Sequence, residues 1–204
     1  MKHYIWLNPV VWSMYDKAKL EHAVCSRGYE IVECHEDHLS KVKNGYDDVI
    51  SKSPFCVMDM RCPAAVAYAR EHYPHSEVVY ANIDPILINA AAELSRRFEG
   101  EKDCLLTVIT PCRELCELGR AKQFVNTRFL TWNEFKEMSD IRLEQKTLDN
   151  SPIPPGFFSS YGEEGISLST EEELDEFFGK KNFVGKKIAE MLYCKEGCHN
   201  GNGV

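Results

Sequence analysis

Twice in this chain a short apolar run ends at a cysteine beside a proline. Phe55-Cys56-Val57-Met58 leads into Met60-Arg61-Cys62-Pro63, and Leu105-Leu106-Thr107-Val108-Ile109 leads into Thr110-Pro111-Cys112-Arg113. An apolar run too short for a helix, followed by a turn that suits a helix start, predicts a buried strand handing over to a helix. Repeated along a chain, that alternation predicts an α/β fold: a parallel sheet with helices on both faces.

The rest of the chain carries the same rhythm. Strands are predicted over 4–7, 29–33, 55–60, 104–110 and 123–126. Helices are predicted over 15–26, 38–43, 63–72, 84–98, 132–138, 171–178 and 186–193, with a short one after Cys112. The caps supply much of the signal. Arg27-Gly28 stops the first helix, Asp84-Pro85 opens a long one, Thr131 caps another, and Ser169 or Thr170 caps the acidic run that follows. Residues 77–80 read as a short apolar link. The 204 residues are read as one domain, 1–204, with a long loop over 139–165 and a terminal loop over 193–204.

In open parallel sheets, sites form at the carboxyl ends of strands, so the loops of Cys62 and Cys112 are expected to open on the same edge. A helix N-terminus also favours a thiolate over a thiol. The run Tyr193-Cys194-Lys195-Glu196-Gly197-Cys198-His199-Asn200-Gly201-Asn202-Gly203 adds two cysteines four apart, then a loop rich in glycine and asparagine. Iron–sulfur clusters need this combination: thiolates for iron, and bare amides that hydrogen-bond the sulfides. Cys62, Cys112, Cys194 and Cys198 together make four ligands.

Composition narrows the alternatives. A net charge of −8 argues against phosphate-backbone binding. No apolar run approaches the length that spans a bilayer, and the first residues are too short in their apolar part for a signal peptide. A cytoplasmic protein is expected, with no nucleic-acid partner and no membrane insertion. Nine cysteines are an odd count, which disfavours a disulfide framework. Cys25, Cys34, Cys56 and Cys104 lie in apolar periodic segments and are expected to be core. Cys116 could face the site of Cys112 but fits helix packing better. His35 and His38 have metal-like spacing and read as flanks of a solvated helix start. The Glu171–Glu176 run reads as a solvated face, or as a dock for a basic redox partner.

With these motifs in order, the chain resembles the catalytic domain of iron-only ([FeFe]) hydrogenases, shortened. Cys62-Pro63 followed by a helix ending at Tyr73-Pro74 is similar to the family's first motif. Thr110-Pro111-Cys112 is similar to its Met-Pro-Cys, Phe129 to Phe135 to its strand and Thr-capped helix, and Cys194 to Gly203 to its terminal Cys-x-x-Gly-Cys-x-Asn-Gly-Gly-Gly. The resemblance implies a [4Fe–4S] cluster held by Cys62, Cys112, Cys194 and Cys198, with residues 193–204 as a cluster-binding loop. In the family the last cysteine also bridges to a two-iron subcluster, where hydrogen is made or split.

The departures from the family are systematic. Its proton-delivering cysteine before the first ligand is Arg61, its Met before Pro-Cys is Thr110, its cyanide-contacting lysine is Leu115, and its methionine before the terminal pair is Leu192. Asp84 replaces the serine of its Ser-Pro. The four-iron ligands stay while the residues that feed the two-iron unit go, which speaks against that subcluster here. The expected function is therefore electron transfer or redox sensing by a hydrogenase-like [4Fe–4S] protein without hydrogen turnover, with a ferredoxin-like or other redox protein as partner. The alternatives are a minimal hydrogenase in which Arg61 or Asp84 replaces the proton relay, a structural zinc protein using the same four cysteines, and a metal-free α/β domain. Arg61 beside an anionic cluster would raise its potential, unless it pairs with a nearby carboxylate.

Overall fold

The computed structural model describes residues 1–74 and 76–204. It is α/β, with two four-stranded parallel sheets, each flanked by helices. The chain divides into two compact units: residues 1–37, 87–153 and 198–204 form the first, and residues 38–86 and 154–197 form the second.

In the first unit the sheet order is β2 (Tyr29–Ile31), β1 (Lys2–Trp6), β5 (Cys104–Thr110), β6 (Thr127–Thr131). Period-two alternation sends β1 to two cores. Tyr4 and Trp6 pack with β5 and with helices α5 (Ile86–Phe98) and α6 (Arg113–Ala121). Ile5 and Leu7 pack on the opposite face with α1 (Pro9–Met14), α2 (Lys17–Cys25) and α7 (Trp132–Ser139). Burial on both faces explains why β5 is an almost unbroken apolar run.

In the second unit the order is β4 (Val78–Tyr80), β3 (Cys56–Met58), β8 (Ile188–Met191), β7 (Gly165–Leu168). One face carries α4 (Pro63–His72) and α8 (Glu171–Gly179) through Val66, Leu174, Phe177 and Phe178. The other carries α3 (His38–Lys52) through Val42, Tyr46 and Ile50, together with Phe158. Among the described residues, no helix is long and apolar enough to cross a membrane.

Several local expectations change. The single sheet is two, because alternation predicts parallel strands without saying which strands pair. Residues 188–191, expected within a final helix, form β8, paired on both sides with β3 and β7. Residues 77–80 contain β4, and the end of the expected loop over 139–165 carries a 3-10 turn at Ser159–Glu164 leading into β7. The strand expected at 123–126 lies a few residues later, as β6. Pro63–His72 and Cys104–Thr110 fall where expected, and Thr131 and Thr170 cap α7 and α8.

Candidate functional site

In each unit the cysteines gather outside the carboxyl ends of two adjacent strands, and in the first unit the strand order also reverses at that point. In open parallel sheets a crevice forms there, outside the carboxyl ends of the strands. In the second unit the strand order does not reverse, and the two adjacent strands are β3 and β8. Cys62 follows β3 as the residue preceding α4, with extended backbone and Pro63 as the first helical residue. Cys194 follows β8. The Cys62 thiol is pushed up by burial, while the backbone amides of Ala65, Tyr193 and Ala64 favour its thiolate. Tyr193 is the residue before Cys194, so the β3–α4 turn and the end of β8 meet at the Cys62 sulfur.

Beneath Cys62 lies a buried charged group. The Asp59, Glu190 and Arg61 side chains are 0%, 3% and 7% exposed. The Arg61 guanidinium bridges both acids, with Nη2 2.7 Å from Asp59 Oδ2 and 2.7 Å from Glu190 Oε1. Phe157 and Phe158 pack against it, with ring centroids 4.0 and 5.1 Å from the guanidinium carbon. Asp59 also accepts from the Arg61 amide at 3.0 Å and from the Tyr46 hydroxyl at 3.3 Å. Glu190 accepts from the amides of Gly156 (2.7 Å) and Phe157 (3.0 Å) and from the Ser167 hydroxyl (2.5 Å). Burial raises the Asp59 carboxyl above its ordinary range, with Arg61 opposing. Glu190 is held below its own because the Ser167 hydroxyl, Arg61 and the Gly156 amide outweigh burial.

In the first unit the reversal lies between β1 and β5. Asn8, just after β1, donates through its side-chain amide to the Ile109 carbonyl at 3.0 Å and ties the two strand ends together. Cys112 follows β5 and precedes α6 without capping it through its side chain. That role falls to the terminal loop: Asn202 Oδ1 accepts from the Arg113 amide at 2.8 Å. The Gly203 amide donates to the Pro111 carbonyl at 3.1 Å, and the Cys198 amide to the Ile153 carbonyl at 3.3 Å. The glycines are required by contact. A Cβ on Gly201 would lie 2.4 Å from the Pro111 carbonyl oxygen, and one on Gly203 would lie 3.0 Å from the Cys112 Cα. The loop carrying Cys198 is thus seated on the turn carrying Cys112.

Each unit therefore pairs one strand-end cysteine with the segment bearing one terminal cysteine: Cys62 with Cys194, and Cys112 with Cys198. Cys62, Cys112, Cys194 and Cys198 are all partly exposed, whereas Cys56, Cys104 and Cys116 are buried. Burial lifts the thiols of Cys34 and Cys56 to about 12 and that of Cys116 to about 11. The buried thiols of Cys56 and Cys116 behave as small apolar groups, whereas the half-buried Cys34 sulfur lies within 4.8 Å of a Glu93 carboxylate oxygen. Cys25 departs from its expectation as a core residue. It is exposed, because it ends α2 on the face away from Leu20, Ala23 and Val24.

Taken unit by unit, the donors suit a metal or a cluster: soft thiolates, amides at a helix start and, in the first unit, glycines that allow close approach. His199 adds a buried Nδ1 with no hydrogen-bond partner among the described residues, next to Cys198. A buried polar atom without a partner is costly, and a cluster sulfide would supply one. Four of the residues that depart from the hydrogenase pattern are committed locally. Leu115 and Leu192 are buried in apolar surroundings. The buried Thr110 hydroxyl donates to the Cys112 carbonyl at 3.0 Å. Arg61 takes the ion-pair alternative.

Asp59 and Glu190 are the site residues that pattern reasoning missed. Their signal was a lone acid next to or inside an apolar strand, which requires a buried counter-charge. No family model matches the chain, and no curated protein matches it.

Proposed function

We propose that this chain is a hydrogenase-like [4Fe–4S] protein that transfers electrons or senses redox state, with Cys62, Cys112, Cys194 and Cys198 as ligands. The observation that carries the reading is the pairing, in each unit, of a strand-end cysteine with the segment that bears a terminal cysteine. Cys62 shares its turn with the amide of Tyr193, and the loop of Cys198 is seated on the turn of Cys112. Only three residues separate Cys194 from Cys198, so the chain itself limits their Cα atoms to about 14 Å. The resemblance to iron-only hydrogenases points to the same four residues. The cluster would supply one-electron chemistry. The protein's own residues would supply four thiolates, the amides that favour them, and the His199 imidazole. A ferredoxin-like or other redox protein is the partner class this chemistry calls for.

The test is anaerobic reconstitution with iron and sulfide, read by metal and sulfide counts, the visible spectrum and EPR of the reduced state. Four irons and four sulfides per chain are expected. Cys112→Ser and Cys194→Ser should lose the brown chromophore, and Cys104→Ser should keep it. Loss of colour in Cys104→Ser alone would reassign the ligands. Stoichiometric zinc bound in preference to a cluster would instead favour a structural zinc site on the four cysteines.

A further inference from the structure

Two acids and one guanidinium are buried beside Cys62. Asp59 receives hydrogen bonds from the Tyr46 hydroxyl, the Arg61 amide and the Arg61 guanidinium. Glu190 receives them from the guanidinium, two backbone amides and the Ser167 hydroxyl. Backbone amides and the guanidinium can only donate, and they make most of the hydrogen bonds to each acid, with one hydroxyl at each completing the set. Hydrogen bonding thus favours the carboxylate form of both acids, at Asp59 against the burial that raises its carboxyl, and one guanidinium stands against two acids.

We propose that Asp59 and Glu190 together outweigh Arg61, place one net negative charge beside Cys62, and so lower the reduction potential of the cluster this residue holds. This rests on the ligand assignment above. The sign is the reverse of what Arg61 alone implies. Reduction adds an electron to the cluster, and a fixed negative charge nearby opposes it. The charge acts through protein and not through water, because Asp59 is 0% exposed and Glu190 2%. Burial weakens solvent and salt screening, so the effect persists at high ionic strength. Asp59 is three residues from Cys62 and already acts on its thiol in this direction, disfavouring the anion. Glu190 reaches the same place from β8 and fastens Gly156 and Phe157 over the guanidinium. The two acids and Arg61 are positioning and tuning residues; none is assigned as a ligand.

The experiment is a redox titration of the reconstituted protein at fixed pH, followed by EPR and visible absorbance. Glu190→Gln and Asp59→Asn each remove one negative charge and should shift the midpoint potential upward. Tyr46→Phe removes a hydrogen bond from the same network and no charge, and should leave the potential where it was. An unchanged or lowered potential in either carboxylate variant, at wild-type iron and sulfide content, overturns the proposal. So does an upward shift of equal size in Tyr46→Phe. Should the carboxylate variants fail to fold, the wild-type protein still decides: the carboxyl 13C shifts of Asp59 and Glu190 at neutral pH are expected to be those of carboxylates. A protonated signal for either overturns the proposal. A wild-type chain that takes up no iron sinks the ligand assignment, and the 13C arm then tests the net charge by itself.

Discussion

A guanidinium taken out of water must have its charge answered, and at Arg61 two strands answer it. Asp59 comes from the same turn and Glu190 from β8, while Phe157 and Phe158 pack against the guanidinium. Replacing such a group by an apolar one of similar shape can be nearly neutral, but truncating it leaves two carboxylates buried without their counter-charge. Arg61→Ala is therefore expected to cost about 3–5 kcal/mol, read as a lowered urea midpoint at unchanged slope. A loss below about 1 kcal/mol would mean that water reaches the two acids and that the network is not sealed. Tyr46 shows the same economy of partners, since it accepts from the Met60 amide at 2.8 Å while donating to Asp59.

Among the elements, those with strong caps were the most legible. Thr131 forms a full capping box: its hydroxyl accepts from the Glu134 amide at 3.2 Å, and the Glu134 carboxylate accepts from the Thr131 amide at 2.7 Å. The pattern is local, so sequence carries it. Thr131→Ala should lower stability by about 1 kcal/mol, seen as a fall of a few degrees in the thermal midpoint. A larger loss would show that Thr131, also the last residue of β6, matters more to the sheet than to the cap. β8 was illegible for the opposite reason. Ile188-Ala189-Glu190-Met191 has no strand signature, and its state is set by β3 and β7 on either side. The acid in its middle, which reads as a helix residue, is accommodated by Arg61, a partner 129 positions away.

At the scale of the whole molecule, Cys62, Cys112 and Cys194 follow strand ends and Cys198 opens a 3-10 turn, while the positions around them are committed to other contacts. Arg61 is locked into an ion network, the Thr110 hydroxyl is bound to backbone, and Leu115 and Leu192 are packed in apolar surroundings. No thiol stands at position 61 to hand on a proton, and no ammonium stands at 115 to hold an anionic ligand. The reconstituted protein is therefore expected to evolve no hydrogen from reduced viologen, even after loading with a synthetic two-iron complex. Gas chromatography of the headspace checks this, and sustained hydrogen release would promote the minimal-hydrogenase alternative. The informative variant is the double change Arg61→Cys with Leu115→Lys, because either alone leaves one of the two deficits in place.

Sequence by itself determined the α/β class, the helix starts at Pro63, Trp132 and Glu171, and the strand ends at which Cys62 and Cys112 sit. These follow from local rules: apolar runs, caps, and proline at the first helical turn. Only the tertiary structure decided that the strands form two sheets and not one. It also decided that β8 is a strand, that Asn202 takes over the start of α6, and that Asp59 and Glu190 answer Arg61. Each of these depends on which distant segment is brought alongside. Local pattern is blind to that, because the free energy that selects strand partners and satisfies buried charges arises only when they meet.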